Sequence, residues 1–191
     1  MRATTRTPNS VVPRILDSLR SVAARLRPQR ITPAVPPLSV TDAEGRRIDV
    51  RPYRDDDFAG LAGMYDDFDP AQRAQGVPPV APGAVREWLP DLLEGVNVVA
   101  LHDDRVVGHV TFVPDGTGRH ELATFVHQTY QQAGVGSRLL GAGLGHAERT
   151  GVEYVWLTVE KGKRYQQRFY SRAGFASVDP MGVAHRMSRR L

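Results

Sequence analysis

The stretch that most constrains this chain is FVHQTYQQAGVGSRLL, Phe125 to Leu140. An apolar strand pattern ending at Phe125 and Val126 passes through a polar turn, and helical spacing opens at Gly134-Val135-Gly136-Ser137. The first N–H groups of a helix have no partner within it, and glycines let an oxygen-rich ligand approach that bare backbone. The helix dipole adds partial positive charge at the same point, so the junction is suited to a phosphate. Gln131-Gln132-Ala133-Gly134-Val135-Gly136 reads Q-x-x-G-x-G. A dinucleotide fingerprint needs a third glycine where the chain has Leu139. A Walker loop needs Gly-Lys-Ser/Thr where it has Gly136-Ser137-Arg138. Both are disfavoured. A tight strand–helix turn without a ligand is the competing explanation.

At 191 residues the chain is one domain with room for a real core. No apolar run approaches the ~18 residues that would span a bilayer, and the absence of cysteine excludes disulfides, thiolate metal sites and cysteine nucleophiles. That absence fits a reducing interior, so a cytoplasmic location is expected. The net charge of +4 comes from residues 1–45, which hold seven arginines against Asp17, Asp42 and Glu44; residues 46–191 balance 18 basic with 18 acidic groups. The body therefore gives no electrostatic case for nucleic-acid binding. Residues 1–45 read as a basic, Pro/Arg-rich, poorly ordered arm with one short amphipathic helix (Ile15, Leu16, Leu19, Val22, Ala23, Leu26), and residues 46–191 as the folded domain. A transit peptide, a membrane-surface helix or a docking helix are the functional readings of the arm.

Arg47 to Arg51 alternates as a first strand, and Asp55-Asp56-Asp57 caps a helix through Tyr65. Gly83 to Leu93 forms a second short helix, strained by Pro90. Asn97–Leu101 and Arg105–Val113 make a hairpin, and a fourth strand from His120 to Val126 leads into the glycine turn. The third helix runs to about Thr150. Its Gly141, Gly143 and Gly145 each cost roughly 1 kcal/mol against alanine, which close approach to the sheet would justify. Tyr154–Val159 is a fifth strand, parallel to the fourth by the handedness of a strand–helix–strand crossover. A last helix, Lys163 to Ala173, precedes short strands at Phe175–Val178 and Val183–Ser188. The class is α/β (α+β), with a mixed, mostly antiparallel sheet.

Two spaced motifs in this setting, Gln131–Gly136 and Phe169-Tyr170-Ser171-Arg172-Ala173-Gly174-Phe175, resemble those of the GCN5-related N-acetyltransferase (GNAT) family, and His120-Glu121-Leu122 stands where many members read Ala-Glu-Leu. The resemblance covers residues 46–191. It implies that the parallel fourth and fifth strands splay apart to admit the pantetheine of acetyl-coenzyme A, a cosubstrate, with no metal. Carried over, the backbone of Phe125, Val126 and His127 pairs with pantetheine, and the Val126 N–H polarises the thioester carbonyl. Gln131, Gln132, Ala133, Gly134, Val135, Gly136 and Ser137 hold the diphosphate. The chain departs at Gln131, commonly Arg, and at Lys163, commonly Asn; Lys163, with Lys161 and Arg164, could meet a coenzyme phosphate.

An amine of pKa ~10.4 must lose a proton before it attacks a thioester. Glu121 is the first candidate base, with His109 and His120 as alternatives, and Tyr170 fits the family's general acid for the departing thiolate. Tyr65, Asp66, Asp67, Phe68 and Trp88 are candidate acceptor contacts. The implied activity is N-acetyl transfer to a primary amine of a small molecule or protein, by a monomer or homodimer. A catalytically silent coenzyme A-binding or regulatory module on the same scaffold is the alternative.

Overall fold

The computed structural model describes residues 29–73, 77–179 and 184–191; the amphipathic stretch at 15–26 lies outside them. Among the described residues eight strands form one sheet: β1 (Leu38–Thr41), β2 (Arg47–Pro52), β3 (Val96–His102), β4 (Arg105–Pro114), β5 (His120–Val126), β6 (Tyr154–Glu160), β7 (Ala176–Asp179) and β8 (Ala184–Arg190). Their spatial order is β1-β2-β3-β4-β5-β6-β8-β7. Among the described residues four α-helices accompany them: α1 (Phe58–Asp66), α2 (Ala84–Leu93), α3 (Val135–Arg149) and α4 (Arg164–Arg172).

The sheet holds one strand more than the sequence pattern predicts. Leu38–Thr41 falls within the stretch read as an arm, yet it pairs antiparallel with Arg47–Val50. Its turn is built by Asp42, whose carboxylate accepts the Glu44 and Arg46 N–H groups, both at 2.9 Å, and the Arg46 guanidinium at 2.7 Å. Gly45, at φ 82°, closes the turn. At the β3–β4 hairpin Asp103 and Asp104 take φ of 47° and 61°, as a two-residue primed turn requires.

Alternation along the strands divides the core in two. On one face α3 and α4 cover Ile48, Val50, Val98, Ala100, Val110, Phe112, Leu122, Val155 and Leu157. On the other, α1 and α2 cover Val99, Leu101, Val106 and Phe125. The entry to α1 is fixed by Asp57, which accepts both Arg51 guanidinium nitrogens at 2.7 Å and the Arg54 N–H at 2.9 Å.

The helix glycines have two different causes. A Cβ on Gly143 would lie 2.6 Å from Val110 Cγ1, so this residue lets α3 sit close on the sheet. Gly141 and Gly145, one turn apart, face the other way, where a Cβ would meet the carbonyl oxygens of Thr32 and Ala34 at 2.7 and 2.3 Å. The segment 29–34 is thus a strap seated on α3. It is tied by Ala34 N–H to Gly141 O and Ile31 N–H to Arg172 O, both 2.9 Å.

Candidate active site

Among the described residues β5 and β6 are the one parallel pair in the sheet, and they pair only at His120↔Val155 and Glu121↔Trp156. Beyond Glu121 the two strands part, leaving a wedge-shaped gap that opens toward the N-termini of α3 and α4. The His127 N–H donates to Val107 O at 2.9 Å. Because successive residues of a strand direct their N–H groups to opposite sides, the Val126 N–H points away from β4 into the gap. Of the three backbone positions expected along pantetheine, Val126 is therefore the one that offers its amide; Phe125, like His127, faces β4.

The glycine turn is held from outside. Arg46 donates to Thr129 O at 3.0 Å and stacks 4.2 Å over the Tyr130 ring, and Ala43 N–H donates to Ala133 O at 2.9 Å. Gln132 (φ 60°) and Gly134 (φ 91°) turn the chain into α3, with Ala133 and Val135 buried. The Ser137 N–H reaches back to Gly134 O at 3.2 Å. A Cβ on Gly136 would touch Val126 and Phe169 at 3.5 and 3.8 Å, at the mouth of the gap. The Gln131 amide donates to Val126 O at 2.9 Å, so this side chain braces the end of β5. Lys163 caps α4. Beside the turn, a cavity of about 490 Å³ is walled by the strap, β1 and the first turns of α3.

Tyr170 is partly buried on α4, its ring 5.1 Å from Phe169 and 5.9 Å from Phe175. Burial raises its phenol above the usual value, offset in part by the Thr124 hydroxyl of β5. Thr124 Oγ1 is buried next to this ring and, among the described residues, makes no hydrogen bond of ordinary geometry. Glu121 is exposed on the opposite face, on the side of α1 and α2. Partial burial raises its carboxyl, opposed by Arg186 and reinforced by Asp115.

The structure removes His109 from the list of bases. It is fully buried, with Nδ1 2.6 Å from the Tyr65 hydroxyl and Nε2 2.9 Å from Asn97 Oδ1. Asn97 spends its amide N–H groups on Leu93 O and Gly95 O, so its oxygen must accept from His109 Nε2–H. Nδ1 then accepts from Tyr65. Burial lowers the His109 pKa to about 3, leaving it neutral and sealed from the gap. Tyr65 and Phe68 are also core residues, packed edge-on against Phe125, and cannot reach an acceptor. Trp88 is partly exposed beside them, Asp66 exposed on α1. Asp67 holds the buried His127 at 3.0 Å and Arg105 at 3.3 Å, fastening the end of α1 to the glycine turn. His120 faces α3 and α4, opposite Glu121.

Among the described residues no group of three or more His, Cys, Asp or Glu could hold a metal, and no helix is long and apolar enough to cross a membrane. Sequence pattern alone does not single out Asn97, Asp115, Trp156 or Arg186; alternation along β6 is the signal that sets Trp156 apart from Val155 and Leu157.

A family model described as the acetyltransferase (GNAT) family matches residues 61–175. Mycothiol acetyltransferase of Propionibacterium freudenreichii subsp. shermanii is 31% identical over an alignment of 166 residues that covers 84% of this chain and 52% of that protein. The chain thus spans about half the length of this curated relative. The GNAT domain of S. lividans PAT matches with a TM-score of 0.68 at 20% identity, over 81% of this chain and 96% of that one. The structure of yncA, a putative acetyltransferase from Salmonella typhimurium with its cofactor acetyl-CoA, matches at 0.58 and 19% identity, over 75% and 94%. PaiA N-acetyltransferase from Thermoplasma acidophilum in complex with coenzyme A matches at 0.57 and 16%, over 75% and 99%.

Proposed function

The chain belongs to the GNAT acetyltransferase family, and we propose that it moves the acetyl group of acetyl-CoA to a primary amine by direct attack on the thioester. The observation that carries this reading is the gap between β5 and β6, with the Val126 N–H turned into it and the uncapped start of α3 at its mouth. The fold of structures solved with coenzyme A or acetyl-CoA supports it.

The residues present fit such a cosubstrate. The main-chain donors from Gln132 to Gly136 take the diphosphate at the head of α3, where the helix dipole favours anions, while the Gln131 and Ser137 N–H groups are engaged by Gln128 O and Gly134 O. Lys163 adds positive charge at the head of α4. Bound acetyl-CoA supplies an activated acyl group; the protein supplies position and proton transfer. The Val126 N–H polarises the carbonyl oxygen. Glu121 accepts the proton of the incoming amine from the α1/α2 face, and Tyr170 gives one to the departing sulfur from the α3/α4 face. The raised phenol keeps Tyr170 protonated at neutral pH.

Calorimetry with CoA and acetyl-CoA, followed by CoA release across an amine panel, tests the reading. Binding together with amine-dependent release is the expected result. Absence of heat with either form would end it, and binding without release for any amine would favour a silent coenzyme A-binding module.

A further inference from the structure

On the α1/α2 face, β6 and β8 set a row of polar and aromatic side chains next to the gap. Parallel register sets Glu121 beside Trp156, and antiparallel register sets Trp156 beside Ser188 and Thr158 beside Arg186, so all five side chains share this face. The Arg186 guanidinium lies 4.0 Å over the Trp156 ring. The indole is fixed in turn, since its N–H donates to Asp115 at 2.9 Å and Asp115 also accepts from the Thr117 N–H and hydroxyl. Arg186 is exposed, and among the described residues it forms no ion pair. An arginine stacked by one face keeps its edge N–H donors free in a fixed plane, the arrangement that receives a carboxylate through two hydrogen bonds.

We propose that the acceptor is an amine that also bears a carboxylate, with the amine directed to Glu121 and the carboxylate to Arg186. This rests on the acyltransferase reading above. One cation flanked by the carboxylates of Glu121 and Asp115 suits a zwitterion, one positive and one negative group; a phosphate dianion would meet repulsion from both acids. A polyamine would bring a second cation against Arg186 with nothing to neutralise it. Arg186 is thus a specificity residue, and Trp156 positions it.

The test uses the full-length protein, acetyl-CoA, and pairs of amines differing only in the anion, each amino acid against its carboxamide, with short polyamines alongside. The acids should be preferred by ~10-fold or more in kcat/KM, the worth of one charge-assisted pair. Arg186→Gln should collapse the acid-to-amide ratio toward one, chiefly through KM, and Arg186→Lys should restore part of it. Calorimetry of amino acids against the CoA-loaded protein should show the same order. Amides or polyamines turned over as fast as the acids, or an Arg186→Gln variant that keeps the wild-type ratio, would overturn the proposal while leaving the acyltransferase reading intact. A protein that binds no CoA overturns both.

Discussion

Acidification should weaken this fold through His109, and the structure gives the size of the effect. The imidazole is sealed between the Tyr65 hydroxyl and Asn97, with its Nδ1 committed as an acceptor. Protonation would set a second N–H against the hydroxyl and leave a charge in an apolar interior. Burial lowers its pKa from 6.5 to about 3. The folded pKa lies below the unfolded one, so the unfolded chain takes up the proton first as pH falls. The associated stability is complete above the unfolded value and is lost progressively between there and pH 3. At pH 5 the unfolded histidine is ~1.5 units below its pKa while the folded one is still neutral, which amounts to ~2 kcal/mol at 1.36 kcal/mol per unit. Urea unfolding at pH 7.5 and pH 5 measures this directly. Asp57, whose pKa is lowered, stays ionised in the folded state throughout that window. His146 titrates in the same direction and should be replaced by Gln in every protein compared. His109→Gln will start from a lower stability, but its pH dependence should be nearly flat. An equal slope in the two proteins would refute the assignment of a neutral, sealed imidazole.

Gly145→Ala places a Cβ 2.3 Å from the Ala34 carbonyl oxygen and must displace the strap, so it should destabilise the protein by ~1–3 kcal/mol in thermal or urea unfolding. Gly63→Ala, exposed on α1 with nothing within 4 Å, should instead stabilise by ~0.5–1 kcal/mol. Tyr170→Phe should lower kcat by ~10–100-fold with KM for acetyl-CoA little changed, since it removes a proton donor and keeps the ring packing; equal turnover would take Tyr170 out of its role. Glu121→Gln should lower kcat by ~100-fold and abolish the acidic limb of the pH–kcat profile, which in the parent should be shifted upward because burial raises this carboxyl. Persistence of that limb in the variant would assign it to another group.

Most of the fold was legible because the strong signals are local. The Asp103-Asp104 turn, the glycine junction and the alternation of Tyr154–Glu160 each act over a few residues, and each element lies within a residue or two of its expected ends. What escaped depends on distant parts of the chain. Leu38–Thr41 is a strand because Arg47–Val50 offers it an edge, which a four-residue run in a proline-rich region does not announce. Gly141 and Gly145 looked like concessions to the sheet, and only the path of residues 31–34 shows that they make room for the strap. Tyr65 and His109 each looked available for substrate or proton transfer. Their mutual hydrogen bond, between residues 44 apart, withdraws both.

The period-2 geometry of β5 then explains how one strand can serve the whole of the proposed site. Glu121, Ala123 and Phe125 project toward α1 and α2, and Leu122, Thr124 and Val126 toward α3 and α4. The main-chain N–H of Val126 lies in the plane between them, directed into the gap. On the proposed mechanism the base, the acid and the carbonyl-polarising donor thus approach from three directions without any of them crossing the sheet. Glu121 comes from the strand itself, Tyr170 from the helix packed on the strand's reverse face, and the amide from the backbone. A one-residue slip of β5 against β4 would exchange the two faces, burying Glu121 beneath α4 and turning Thr124 outward. The Gln131 bond to Val126 O and the His127 bond to Val107 O hold the free end of that strand against such a slip. On the proposed mechanism the glycine turn therefore has two uses: it presents donors for a diphosphate, and it locks the register of the strand that carries Glu121 and the Val126 N–H.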